Sequence, residues 1–105
     1  MTQINFVETV IEAWRKLELG LSSVLLASEV TRLPDSSKAA ISIDARYHLA
    51  MVEIWEQPAS LDTTIMSKGA TQGSIIAAGS CEGEAEIEKR LRALQIALLR
   101  GQLSV

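Results

Sequence analysis

The sequence has few of the residues on which covalent crosslinks, metal sites and catalysis depend. Its 105 residues include one cysteine, Cys81, and one histidine, His48. A single cysteine excludes a disulfide within the chain and is typical of a reducing compartment, so we expect a cytoplasmic protein. The patterns His-x-His, Cys-x-x-Cys and His-Glu-x-x-His are absent from the sequence, which therefore predicts no metal site and no cofactor.

The same scarcity argues against an enzyme. A general base needs a group that orients it, but nothing in the spacing of the sequence requires Asp44, Glu53 or Cys81 to lie beside His48. We therefore expect His48 to be a solvated or hairpin-capping residue. Cys81 precedes a helix, where a thiol can become reactive, but without a partner it is better interpreted as a small buried residue. The sequence predicts no catalytic residues, and a small hydrolase that uses His48 is the remaining enzymatic alternative.

Clusters of positive charge and long apolar runs are also missing. The net charge is −3 and the pI is near 5.1. Lysine and arginine are scattered among acidic residues, which argues against binding to nucleic acid or to an anionic membrane surface. The apolar runs are far shorter than the ~20 residues that span a bilayer, and the first residues lack the features of a signal peptide. We expect neither nucleic acid nor a membrane as a partner.

The chain does contain enough apolar material for one small core. Apolar residues make up 48% of the chain, but aromatic residues only 4%. This length and composition predict a single domain over residues 1–105. The two tryptophans, Trp14 and Trp55, can each bury roughly 200 Å². Their positions therefore matter more to stability or binding than those of any other pair.

Two segments have the period of an amphipathic helix. In the first, Trp14 falls on the apolar stripe, so we predict that it belongs to the core. In the second, several glutamates lie at the start, where the helix dipole favours negative charge. This explains them better than an acidic binding patch. The helices are predicted over residues 4–19, with Gly20 as the stop, and from Ser80 or Glu84 to about Gly101.

Between the helices the apolar residues alternate with period two, which is typical of half-buried strands. Strands are predicted over 22–33 (an edge strand, with a continued helix as the alternative), from 37 onward, and over 48–56, 61–66 and 74–79, with turns at 34–36, 44–47, 57–59 and 68–73. Short connections make neighbouring strands antiparallel. The sequence therefore predicts an α+β fold, an antiparallel meander sheet of four to five strands with the N- and C-terminal helices packed on one face.

The alternation also predicts a sheet face that could bind a partner. If the aliphatic residues point toward the helices, the opposite face carries a tryptophan and methionines among acidic residues. Trp and Met are enriched in protein interfaces, and acids at a rim steer a basic partner. The alternative is that Trp55 lies over its own sheet and only fills space. The predicted partner-binding residues are Asp44, Met51, Glu53, Trp55, Asp62 and Thr64, with Trp55 as the anchor.

Four segments carry a resemblance to a known family. They are FVETVIEAW (6–14), SIDARY (42–47), VEIWE (52–56) and EIEKRLRAL (86–94). Together with their order along the chain, they resemble the TriTu family of small bacterial immunity proteins. The resemblance implies a non-enzymatic protein that neutralises a cognate toxin of a polymorphic or contact-dependent system by binding it. It leaves open whether the toxin is inhibited by occlusion of its active site.

A second class of binder remains as an alternative. Small acidic α+β proteins also serve as secretion chaperones, which hold a segment of an effector and usually form dimers. In this interpretation the row of leucines on the last helix, widened by Ile96, is shared between two subunits of a homodimer. The row consists of Leu91, Leu94, Leu98 and Leu99.

Overall fold

The computed structural model describes residues 5–33, 38–56 and 58–100. The elements in chain order are helix α1 (Phe6–Glu18), a short 3-10 turn (Leu19–Leu21), strands β1 (Leu25–Arg32), β2 (Lys38–Ala45), β3 (His48–Glu56), β4 (Ala59–Ser67) and β5 (Ser74–Ala77), and helix α2 (Gly83–Arg100). The five strands form one antiparallel sheet in the order β1-β2-β3-β4-β5. The predicted α+β fold is confirmed, because both helices contact each other and the sheet.

Helix α1 begins with a side-chain cap and ends in a close contact with α2. The Asn5 carboxamide oxygen accepts the backbone N–H of Glu8 at 3.2 Å, which satisfies a donor that the first turn leaves free. The helix was expected to stop at Gly20, but the chain continues through the 3-10 turn. A Cβ at Gly20 would lie 2.8 Å from the side-chain nitrogen of Gln95, which donates to the Leu17 carbonyl. Gly20 therefore allows the close approach of α2.

Helix α2 begins at Gly83, between the two predicted starts. Its first turn holds Glu84 and Glu86, as the helix dipole favours. Two carboxylates also pair with arginines one turn later, Glu86 with Arg90 and Glu88 with Arg92. These acids therefore belong to the helix itself, as the sequence predicts. The expected end near Gly101, like residue 4 at the start of α1, lies outside the described residues.

The sheet follows the prediction with shifted boundaries. β1 is an edge strand and not a continued helix, and it begins at Leu25 and not at residue 22. Asp44 and Ala45 still belong to β2, so only residues 46–47 form the turn and not 44–47. β5 ends at Ala77, two residues earlier than expected. Ala59 already belongs to β4, while the predicted turn at 34–36 and residue 57 lie outside the described residues.

The core lies between the sheet and the helices. The buried sheet residues come from alternate positions of β2, β3 and β4, with Ile41 paired to Val52 and Ile54 to Leu61. Trp14 is fully buried, as predicted, and its indole N–H donates to Ser28 Oγ at 3.1 Å. The Ser28 hydroxyl in turn donates to a carboxylate oxygen of Glu18 at 2.8 Å. This relay fixes the edge strand to helix α1.

Candidate functional site

The side of the sheet that faces away from the helices is the candidate site, and we call it the outer face. The strand register places all six predicted partner-binding residues at outward positions of β2, β3 and β4. Four further residues share this face: Leu49, Ser60, Met66 and Ile75. Leu49, Met51 and Ile75 are 41%, 40% and 71% exposed. The described part of the chain therefore leaves this face open.

One end of the outer face, where β3 begins and β4 ends, is apolar. Leu49 lies opposite Met66, Met51 lies opposite Thr64, and Thr64 lies opposite Ile75 on the next strand. Together these four apolar side chains (Leu49, Met51, Met66 and Ile75) form what we call the apolar stripe, which crosses β3, β4 and β5. A shallow depression of about 280 Å³ runs beside Leu49, Met51 and Met66. The stripe is a surface on which apolar side chains of another molecule can be buried.

Charged residues on β2, β3 and β4 lie beside the apolar stripe. Lys68 pairs with Asp44, with Nζ 2.8 Å from the carboxylate oxygen. Lys38 lies 3.6 Å from a carboxylate oxygen of Glu53. Glu53 is also directly opposite Asp62 in the β3–β4 pair, and like charges in this position destabilise a sheet. The predicted acidic residues are therefore present on the outer face, but two of them already have a lysine partner.

Trp55 lies at the other end of the outer face, on β3. It is half-buried and is not part of the buried core. The Lys38 ammonium lies 4.9 Å from the centre of its ring, which is a cation–π distance. A shallow depression of about 360 Å³ opens beside the ring and is lined by Trp55, Pro58, Ser60, Asp62 and Gly79. Trp55 is thus partly packed by its own chain and partly accessible, and its role as an anchor stays a prediction.

The residues considered for catalysis are far apart. His48 is at one end of the β3–β4 pair, opposite Ser67, whereas the Cys81 N–H donates to the Ala59 carbonyl at the other end. Cys81 is buried, as predicted, and burial raises the pKa of its thiol. His48 is half-buried at the start of β3, directly after the turn at residues 46–47, and its Nδ1 is a buried atom without a hydrogen-bond partner among the described residues. The geometry brings no nucleophile–base pair together from these two residues.

Three members of the apolar stripe, Leu49, Met66 and Ile75, are not among the six predicted partner-binding residues. Met66 was expected on this face with Met51 but was not chosen as a contact residue. Leu49 follows the same alternation as Met51, so the signal was present.

Ile75 was not separable from Ile76 by pattern. The β4–β5 pairing places Ile75 opposite Thr64, in the same register that pairs Ile65 with Ser74. This register is not visible in the sequence pattern. Ile76 instead packs against the core.

Comparison with known proteins adds no further assignment. No protein-family model, no curated protein and no solved structure matches this chain. The resemblance to TriTu immunity proteins therefore stays a prediction. Among the described helices, neither is long and apolar enough to cross a membrane.

Proposed function

We propose that this protein is a non-enzymatic protein-binding module that holds its partner on the outer face. The observation that carries the proposal is the apolar stripe. Leu49 and Met51 are exposed on β3, and Ile75 is exposed on β5 across Thr64, on a sheet whose other side packs against the helices. Contiguous apolar surface rimmed by polar residues is typical of a protein–protein contact site.

The partner that we propose is a toxin, which the protein neutralises by binding it. This step rests on the resemblance of the four segments to TriTu immunity proteins. An immunity protein needs a firm contact surface and no chemistry of its own. The open outer face, with an apolar stripe and acids beside it, suits that requirement.

The alternative of a dimeric secretion chaperone loses its main support. Leu91, Leu94 and Leu98 are fully buried in the protein's own core, and Leu99 packs against it. The row of leucines on α2 is therefore not free to be shared between two subunits, as the sequence had suggested. Among the large apolar side chains of α2, Ile96 is the one that remains exposed, at 52%. A single exposed apolar side chain needs no explanation.

Two matched variants test the docking surface. Met51→Arg places a charge in the apolar stripe, whereas Ile96→Arg makes the same change on the helical side at a residue of similar exposure. Tagged wild-type protein and both variants are used to capture partners from the native cells, after thermal unfolding has shown that all three are folded. We expect one protein to be captured by the wild type and by Ile96→Arg, and lost with Met51→Arg.

The toxin assignment is tested on the captured protein itself. Its expression alone should arrest growth, and co-expression of the wild type but not of Met51→Arg should restore growth. Calorimetry should give one-to-one binding. Retention of the partner by Met51→Arg would contradict the proposed surface. If expression of the captured partner does not affect growth, the toxin assignment is wrong, whereas the proposal of a protein-binding module still stands.

A further inference from the structure

We propose that the outer face carries a receptor site for an arginine side chain of the partner, formed by the Trp55 ring and the Asp62 carboxylate with Glu53 beside them. This inference rests on the proposed function, because it specifies the chemistry of the protein that docks there. The site lies at the end of the outer face opposite to the one that carries the apolar stripe.

The first observation is that the depression beside the Trp55 ring combines an aromatic side chain with a carboxylate. Trp55 forms one wall, Ser60 lies opposite Trp55 in the β3–β4 register, and Asp62 follows two residues along β4. A guanidinium is planar, stacks on aromatic rings and forms paired hydrogen bonds with a carboxylate. An aromatic wall and a carboxylate that share one depression offer both contacts.

The second observation is the state of the Asp62 carboxylate. Its Oδ1 accepts the backbone N–H of Gly79 at 2.9 Å, which fixes the direction of the side chain. Among the described residues, no hydrogen bond goes to Oδ2. One oxygen of a positioned carboxylate is thus left to accept a donor from another molecule.

The third observation is that the protein already holds a cation in this region. The Lys38 ammonium lies 4.9 Å from the centre of the Trp55 ring and 3.6 Å from Glu53. Lys38 comes from β2, on one side of β3. The depression lies on the other side and is lined by Ser60 and Asp62 of β4, by Pro58 before β4 and by Gly79 after β5, with Trp55 as its wall. The ring and its neighbouring carboxylate therefore bind one cation from inside the protein and leave the Asp62 side accessible.

The charge balance favours a second cation. Glu53 and Asp62 are directly opposite each other, and Lys38 pairs with Glu53 alone. A guanidinium beside Asp62 would offset the repulsion between the Glu53 and Asp62 carboxylates, because it attracts both. Met51 lies four residues from Trp55 on the same face, which is about 13 Å along a strand. The partner segment should therefore present an arginine and an apolar side chain roughly this far apart.

The probe is the peptide acetyl-Ala-Arg-Ala-Ser-Ala-Leu-Ala-amide, whose arginine and leucine are four residues apart, titrated into ¹⁵N-labelled protein and followed by NMR. Two signals report the site: the indole N–H of Trp55, and the backbone N–H of Gly79, which contacts Asp62 directly. The control peptide carries citrulline, which has the same shape as arginine without its charge. We expect saturable shifts of both signals with the arginine peptide, and at least tenfold weaker binding of the citrulline peptide.

Three variants separate the arginine site from general attraction to an acidic surface. Asp62→Asn keeps an oxygen for Gly79 but removes the charge, so binding of the arginine peptide should weaken at least fivefold. Lys38→Met removes the competing cation and should strengthen it two- to threefold. Glu29→Gln changes a carboxylate on β1, at the other edge of the outer face, and should have no effect.

The outcomes distinguish this inference from the proposed function. Equal binding of both peptides, an Asp62→Asn variant that binds normally, or no saturable shift of the two signals overturns the arginine site. In each case the loss of the captured partner with Met51→Arg would still support the docking surface. Loss of the captured partner with Ile96→Arg and not with Met51→Arg overturns both.

Discussion

Replacement of Thr63 by valine should stabilise the protein. Thr63 is fully buried on the inner side of β4, opposite Val52, and its hydroxyl has no hydrogen-bond partner among the described residues. A buried polar group without a partner costs about 1–3 kcal/mol. Valine has nearly the same shape, replaces the hydroxyl by a methyl and is favoured in strands. We therefore expect the free energy of unfolding to rise by about 1–3 kcal/mol.

The neighbouring residue provides the control. Thr64 lies on the outer side of the same strand, where its hydroxyl donates a long bond of 3.5 Å to the Met51 carbonyl. Thr64→Val should change stability by less than about 0.5 kcal/mol, as is usual for surface substitutions. Urea unfolding measures both values, and each kcal/mol corresponds to about 4–8 °C in Tm for a domain of this size. If Thr63→Val destabilises the protein, the hydroxyl has a partner, such as an internal water, and the reasoning is wrong.

The remaining predictions concern the tryptophans and the contacts of β1. Trp14→Ala should lower the free energy of unfolding by about 3–5 kcal/mol in urea titrations. Trp55→Ala should mainly weaken partner binding, by more than about 2 kcal/mol in calorimetry. The reverse pattern would make Trp55 the core residue and Trp14 the partner-binding anchor. Ser28→Ala leaves the buried indole N–H of Trp14 without its acceptor and should cost about 1–3 kcal/mol in the same titrations, and an unchanged stability would contradict the relay. The Arg32 guanidinium lowers the pKa of Glu8 below its ordinary 4.5 through a hydrogen bond. The ion pair therefore stabilises the folded protein above pH 4.5, and this stabilisation is lost as the pH falls through the lower pKa that Glu8 has in the folded state. Glu8→Gln should therefore be less stable than the wild type at pH 7, and this difference should shrink as the pH falls below 4.5. A difference that does not change with pH would show that the charge is not the cause.

The architecture was predictable because each element carries a clear period. The stripe of α1 and the alternation of β3 both match the buried positions in the structure, including Trp14 and Ile54. The boundaries were less accurate where backbone geometry decides them. Asp44 is polar and precedes a turn, yet it still pairs with Leu49 as part of β2, because this turn needs only two residues.

The site was predictable in part, for a related reason. Alternation places Met51, Glu53 and Trp55 on one face without any knowledge of contacts. It does not show that Lys38 lies over the Trp55 ring, since this depends on the register between β2 and β3. Ile75 is the clearest case, because the register between β4 and β5 decides which of two adjacent isoleucines faces outward, and alternation along one strand does not give that register.

The inner layer of the protein also fixes the geometry of the proposed arginine site. Arg90 of α2 is mostly buried and donates to the carbonyls of Leu61, Gly79 and Ser80 at 2.8, 2.9 and 2.6 Å. The N–H of the same Gly79 donates to Asp62 on the outer face. One arginine thus holds the backbone that positions the outer carboxylate. Binding loses less free energy when the receptor group is already in place, so a rigid link from α2 through Gly79 to Asp62 suits a surface that recognises one partner without rearrangement.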